Sequence, residues 1–302
     1  MNTEHQLIKL NNGTSIPQIG FGTMHLSAVR DNSPESHETT AKGVLAAIAA
    51  GYRHFDTAQM YVNEKGVGLG IARSGIPRKE FFITSKLGNG NHRPDDVRRS
   101  FEQSLVELGV DQMDLFLIHW PLPTLYGGDY VSTWRAITRL VDEGLLRSAG
   151  VSNFNPDHLK RIIDETGRVP AVNQIEVHPY FGNRDTFAAC AAHDIAVVAW
   201  SPLGQASVLA DVTIGEIARR HNRSAAEIVL RWHTQQGRIV IPKTATPARM
   251  KQNIAVFDFT LSPEELATID SLHKGEAGRR GPNPETFDWI PSRANPSPTI
   301  KP

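Results

Sequence analysis

Internal disulfides are excluded at once, because the 302-residue chain has a single cysteine, Cys190, in the Ala-rich stretch Phe187–Ala192. A chain without disulfides fits a reducing compartment, and a cytoplasmic location is the expectation. Long apolar runs are missing too. A spanning helix needs about 20 apolar residues, whereas the longest run here, Val44–Ala50, has seven. Residues Met1–Asn12 lack the apolar core of a signal peptide and are expected to stay on the mature protein. Charge of one sign is absent in excess: 32 basic side chains meet 32 acidic ones. Nothing global therefore draws the chain to nucleic acid or to an anionic membrane, and no basic patch interleaved with aromatics suggests a nucleic-acid partner. The 12 histidines include neither H-E-x-x-H nor His-x-His, so no metal site is expected and a metal-dependent hydrolase has little support.

What is present is a recurrence. Short apolar, β-branched segments appear at Ile19–Gly22, His54–Asp56, Phe81–Lys86, Met113–His119, Ser148–Ser152, Val172–Glu176, Ala196–Trp200 and Ile239–Lys243. Between them lie segments with helical spacing or helix-start chemistry. Val97, Phe101, Leu105 and Leu108 share one face at 4-4-3 spacing. Asn155-Pro156 reads as an N-cap followed by proline, Ser262-Pro263-Glu264-Glu265 adds a capping-box glutamate, and Ser224 with Glu227 is a capping box. Alternating strands and helices imply parallel pairing with right-handed crossovers. Eight units suggest a closed (β/α)8 TIM barrel, a single domain over residues 1–302, although a large open α/β sheet has a similar local signature.

Three segments fall outside the repeat. Leu7–Pro17 reads as a hairpin around Asn11-Asn12-Gly13 that could plug the barrel bottom. Arg30–Thr40 reads as a mobile polar surface loop. Gly275–Pro302, with six prolines, reads as an irregular wrapping tail.

In such a barrel the chemistry sits where strands end. Asp56 closes the second strand with Tyr61 just beyond, Lys86 the third and His119-Trp120 the fourth. Ser152-Asn153 closes the fifth, the sixth contains Gln174 and Glu176, Trp200-Ser201 closes the seventh and Lys243-Thr244 the eighth. A single polar strand end is ordinarily a turn or cap; seven in succession would converge on one mouth. Two apparent motifs fail: Gly66-Val67-Gly68-Leu69-Gly70 lacks the third glycine of a dinucleotide loop and follows no strand, and Ser152 lacks the second glycine of a nucleophile elbow.

The chain resembles the aldo-keto reductases. The resemblance rests on Gly51-Tyr52-Arg53-His54-Phe55-Asp56-Thr57-Ala58 with Tyr61 and Asn63-Glu64, on Met113 through Pro121, on Gly150-Val151-Ser152-Asn153-Phe154, on Asn173 through Glu176, and on Ile241-Pro242-Lys243 through Asn253. It runs from about Leu7 to Leu272. Ala199-Trp200-Ser201-Pro202-Leu203-Gly204 is most similar to bacterial members such as the 2,5-diketo-gluconate reductases.

The resemblance implies a catalytic tetrad of Asp56, Tyr61, Lys86 and His119, and the chemistry is coherent. Reducing a carbonyl needs a hydride on carbon and a proton on oxygen. A free phenol, with pKa of about 10, is a reluctant acid, and a nearby cation such as Lys86 lowers that value. Asp56 can hold Lys86, and His119 can hydrogen-bond the carbonyl oxygen. The hydride requires a cofactor, and the resemblance implies NADPH/NADP+. Trp200 would stack on the nicotinamide and Ser152, Asn153 and Gln174 would bind its carboxamide. Lys243, Thr244 and Arg249 would take the ribose phosphate, with Gln252 and Asn253 toward adenine and Gly22, Thr23, Ser201 and Leu203 completing the cofactor site. Thr246-Pro247 can start a helix just after the eighth strand, the usual phosphate corner of this barrel.

Met24, Gly88 and Trp120 are the substrate-pocket candidates. Many relatives have tryptophan at Gly88 and an aromatic at Met24, so the mouth is expected either to be open to bulky ketones or to be refilled by the loops around His25–Thr40 and Gly90–Arg93. The function implied is NADPH-dependent reduction of a small-molecule aldehyde or ketone by a monomer. The alternative is a nicotinamide-binding redox-sensing subunit of the same fold, like the potassium-channel β subunits.

Overall fold

The computed structural model describes residues 6–28 and 31–291. Leu7–Lys9 (β1) and Ser15–Pro17 (β2) form the antiparallel hairpin, with Leu7 opposite Pro17. Eight parallel strands follow: Phe21–Gly22 (β3), His54–Asp56 (β4), Phe82–Leu87 (β5), Met113–Ile118 (β6), Leu146–Ser152 (β7), Val172–Glu176 (β8), Ala196–Trp200 (β9) and Ile239–Val240 (β10). They pair in sequence order from β3 to β10. Parallel pairing of Ile19 with Val240, and bonds from Gly20 N–H to Val240 O (2.8 Å) and from Val240 N–H to Gln18 O (2.9 Å), join the last strand to the first. The sheet is a closed barrel, not the open alternative. The eighth strand is shorter than its apolar run: the ladder gives out before Pro242, which has no N–H to offer.

The helices between strands are Pro34–Ala50 (α1), Glu64–Arg73 (α2), Pro94–Leu108 (α3), Tyr130–Asp142 (α4), Pro156–Thr166 (α5), Arg184–Ala192 (α6), Val212–His221 (α7) and Ala225–Gln235 (α8). Pro247–Ile254 (α9) and Pro263–Asp270 (α10) follow the last strand. No helix among the described residues is long and apolar enough to cross a membrane. The expected capping boxes at Ser224 and Ser262 form, and at Asn155, expected as an N-cap followed by proline, His158 Nδ1 also accepts from Asn155 N–H. On α3, Val97, Phe101 and Leu108 are buried, and Leu105 is a half-buried neighbour of the core.

One expectation fails. The stretch expected as a mobile loop, Arg30–Thr40, supplies the first two turns of α1, with Arg30 itself outside the described residues. Ser33 is the N-cap and accepts from Ser36 N–H, Pro34 stands in the first turn, and Ser36, His37 and Thr40 are buried. This is the same Ser-Pro-Glu signal that starts α10, masked by polar composition.

The barrel's two faces follow the two-residue period of a strand. Leu115 and Leu117 of β6 point inward with Phe82, Val172, Val198 and Ile239, while Phe116 and Ile118 point out into the helix layer. Leu10 and Ile16 of the hairpin join the inward cluster. Asn12 Nδ2 bonds Arg147 O (3.1 Å) and Ser148 Oγ (2.9 Å) at the start of β7. The hairpin therefore closes the end where strands begin, and each buried aliphatic there contributes about 1.5–3 kcal/mol. The opposite end, where strands finish, is the mouth. The tail has no strand and only one short helical turn, Gly275–Gly278, as far as Pro291; the rest of it lies outside the described residues.

Candidate active site

Strand parity places the reactive groups. Lys86 has the parity of Phe82, His119 that of Leu117, Gln174 and Glu176 that of Val172, and Trp200 that of Val198, so all face the barrel axis at the mouth. Asp56 ends β4, and a single 3-10 turn, Gln59–Tyr61, carries Tyr61 back over the mouth.

Lys86 is wholly buried. Its ammonium has three N–H groups and uses each: Asp56 Oδ1 at 2.5 Å, Thr57 O at 2.8 Å and Tyr61 Oη at 3.3 Å. Burial alone would push Lys86 down, but Asp56 and Tyr61 beside it outweigh that and raise its pKa, so it stays charged. The second oxygen of Asp56 accepts from Gln174 Nε2 (2.7 Å). The Tyr61 ring meets His119 edge-on, with centroids 5.7 Å apart. The four tetrad candidates thus form one contiguous group.

A second network backs the first. Asn153, held at φ 63°, donates from Nδ2 to His119 O (2.9 Å) and Ser152 Oγ (3.1 Å) and accepts from Trp200 Nε1 (2.9 Å). Ser152 Oγ donates to Gln174 O (2.8 Å). Ser152, Asn153 and Gln174 therefore also orient His119, Trp200 and Asp56. Thr23 N–H and Oγ both donate to Asp56 O, and Asn63 bridges Thr23 O and Thr57 Oγ1.

The phosphate-corner candidates lie across the mouth. Lys243, Arg249 and Gln252 are exposed, Thr244 half-buried and Asn253 buried. Thr246 caps α9 without a side-chain bond, leaving first-turn N–H groups of that helix for an anion. Tyr52 Oη donates to Met250 O (3.2 Å), tying α9 to the barrel wall. Gly22 is needed for close approach: a Cβ there would sit 2.9 Å from Ile241 O and 3.6 Å from Lys243 Cβ. Ser201 and Leu203 are half-buried in the loop after β9.

Of the substrate-pocket candidates, Trp120 is buried against Phe287 of the tail, ring centroids 4.2 Å apart. Met24 is half-buried. A Cβ on Gly88 would point at Gln59 Oε1 (3.2 Å) and Asn91 Nδ2 (3.4 Å). No sequence motif marked Gln59, and Thr57 and Glu64 stood out only as members of the first motif. Gln59 accepts from Gly88 N–H (2.7 Å) and donates to Ser100 O and Ser104 Oγ. Its position two residues before Tyr61 was the available signal.

The aldo/keto reductase family model matches residues 18–274. An aldo-keto reductase of Mycobacterium sp. (strain JLS) is 47% identical over 283 residues, 94% of this chain and 98% of that protein. The methylglyoxal reductase DkgA of Yersinia pestis is 44% identical over 288 residues, again 94% of this chain and 98% of the relative. A solved structure of a Gox0644 mutant in complex with NADPH matches with a TM-score of 0.86 at 40% identity, covering 94% of this chain and 99% of that one. With its barrel, its mouth and these matches, the chain belongs to the aldo/keto reductase family.

Proposed function

We propose that this single (β/α)8 domain is an NADPH-dependent reductase of small-molecule aldehydes and ketones, working as a cytoplasmic monomer without nucleic-acid or membrane partners. The observation that carries the reading is the fully buried Lys86 ammonium held between Asp56 and Tyr61. Tyr61 Oη accepts from Lys86, so the phenol keeps its own proton to give. As that proton leaves, the ammonium favours the charge left on the oxygen. His119 hydrogen-bonds the carbonyl oxygen and fixes its approach. Asp56 keeps Lys86 charged and in place throughout.

The donor set at the mouth fits a dinucleotide. Trp200 offers a half-buried aromatic face fixed by Asn153, and two exposed cations, Lys243 and Arg249, stand at or near the start of α9. NADPH, when bound, supplies the hydride that no side chain can. Ser152, Asn153 and Gln174 hold the carboxamide, Lys243, Thr244 and Arg249 the ribose phosphate, and Gln252 and Asn253 the adenine end, while Gly22, Thr23, Ser201 and Leu203 line the groove.

For the substrate, the reading favours a narrow mouth. Residue 88 faces Gln59, the tail covers Trp120, and Ile290 lies 3.6 Å from where a Cβ on Gly90 would be. Small aldehydes and dicarbonyls should outrun bulky ketones, in keeping with a relative that is a methylglyoxal reductase. Steady-state rates with NADPH across a size series of carbonyls test both statements. Tight NADPH binding with negligible turnover of every carbonyl would instead indicate the regulatory-subunit reading, and bulky ketones ahead of small aldehydes would remove the narrow mouth.

A further inference from the structure

Glu176 ends β8 inside the barrel mouth, 1% exposed. Among the described residues its carboxylate is met by three donors, none of them an arginine or lysine side chain. Oε1 accepts from His178 Nε2 (3.0 Å) and from Arg280 N–H (2.6 Å), and Oε2 accepts from Gly281 N–H (2.9 Å). Two of the three come from the tail, more than a hundred residues away. A buried carboxylate satisfied mainly by backbone N–H groups fixes the path of the segment that supplies them, because losing either bond leaves charge desolvated.

That path ends on Trp200. Glu176 and Trp200 are direct partners across β8 and β9. A Cβ on Gly281 would lie 2.3 Å from Trp200 Cη2 and 3.1 Å from Cζ2, so the tail backbone rests on the benzo edge of the indole and no side chain fits between. The N–H next along the same side of the ring donates from Nε1 to Asn153 Oδ1. Before this point the tail is anchored by Lys274 N–H to Tyr180 O (2.9 Å) and by Arg279 over the Phe181 ring (4.4 Å). Beyond it the tail crosses to Trp120 and to Asn89, whose Nδ2 donates to Trp289 O (2.8 Å).

We propose that Glu176 is a positioning residue: it clamps the tail at Arg280-Gly281 against Trp200, so that the indole, bonded to Asn153 and packed against Gly281, presents one fixed face to the nicotinamide. The inference rests on the cofactor reading above for the last clause only; the clamp itself concerns the chain alone.

The test is a double-mutant cycle on NADP+ binding, measured by fluorescence titration without substrate. Gly281→Ala should raise the NADP+ dissociation constant about tenfold, the usual scale for forcing one methyl into a filled site. In a Trp200→Phe background the same substitution should cost clearly less, since the closest atoms it strikes are gone and only Glu176 Oε2, 3.0 Å from that Cβ, remains. An equal penalty in both backgrounds, or none in either, overturns the proposal. Glu176→Gln supplies an independent readout. Its amide cannot accept from all three donors, so trypsin should cut the folded protein after Arg279 and Arg280 faster than in wild type; an unchanged cleavage rate counts against the clamp. If wild type binds no NADP+, the cofactor reading fails, and the trypsin comparison still decides the clamp.

Discussion

Asp56 and Asp114 are both buried, 1% and 2% exposed, both lie on barrel strands and both are paired with cations. Asp56 faces inward at the end of β4, and its partner Lys86 is wholly buried beside a phenol. Asp114 faces outward near the start of β6 and is held by Arg78 (2.6 Å) and Arg147 (2.7 Å), whose side chains are 33% and 44% exposed, and by Ile83 N–H (2.9 Å). The arginines are permanently charged, partly hydrated and have no proton to exchange. They staple adjacent strands. Lysine beside tyrosine, in contrast, places a compact charge where a proton can leave. The kind of cation and the end of the barrel, not burial, separate chemistry from architecture.

The sharpest way to break that contrast is Tyr61→Phe. It removes the proton and keeps the ring, so kcat should fall by about 10²–10⁴ with NADPH affinity little changed. Lys86→Met should be similarly damaging. A Tyr61→Phe enzyme that keeps a tenth of wild-type turnover would remove Tyr61 as the acid.

Asp114→Asn should do the reverse. One neutral oxygen cannot satisfy two guanidinium groups and a backbone N–H, so stability should drop by about 1–3 kcal/mol, the arginines' hydration limiting the loss. In urea titrations the midpoint should fall while kcat per folded molecule stays at the wild-type value. A loss of kcat without loss of stability would mean that the outward pair takes part in the chemistry after all.

Arg249 extends the comparison to an exposed cation at the mouth. Its removal in Arg249→Ala should weaken NADPH by about ten- to hundredfold, the 1.5–3 kcal/mol of a charge-assisted contact, and leave NADH nearly unaffected. Equal weakening of both cofactors would make Arg249 a stabilising residue of α9 rather than a phosphate ligand.

Much of this was legible in sequence because it is local. Strand period fixes which of Lys86, His119 and Gln174 face inward, and serine-proline-glutamate starts α10 as it starts α1. The start of α1 was misread because Arg30–Thr40 is polar, and polarity does not distinguish a loop from the first turns of a capped helix. Residue 88 leaves the mouth either open or refilled as far as sequence goes, because a missing side chain suggests space while its Cβ direction, toward Gln59, depends on how the loop after β5 lies. The bonds from Glu176 to Arg280 and Gly281 join residues too far apart for any periodicity to report. Glu64 was noticed only as part of a motif, since the state of a carboxylate is decided by what surrounds it.

Glu64 is another buried carboxylate, and it lacks the paired cation that the two aspartates have. Ser85 Oγ (2.6 Å) and Ser104 Oγ (3.3 Å) donate to it. Burial pushes its pKa from the ordinary 4.5 up to about 7; the two serines and Lys86 oppose the rise, and Glu107 adds to it. Between those two pH values the folded chain holds a proton that the unfolded chain has released. The contribution is therefore fully present below the unfolded pKa and is lost as pH rises through the folded one, by at most about 1.4 kcal/mol per pH unit. Buried His54 and His92, each pushed down to about 4 mainly by burial, work in the opposite sense, so the informative quantity is a difference between proteins. Glu64→Gln keeps the shape, accepts from one serine and donates to the other hydroxyl, and carries no charge at any pH. Urea unfolding at pH 5, 6, 7 and 8 should show the variant gaining on wild type from pH 5 to about 7 and little further by pH 8. Parallel stability curves for the two proteins would show that Glu64 is charged in the folded state throughout, and that two hydroxyls serve a buried carboxylate as well as Lys86 serves Asp56.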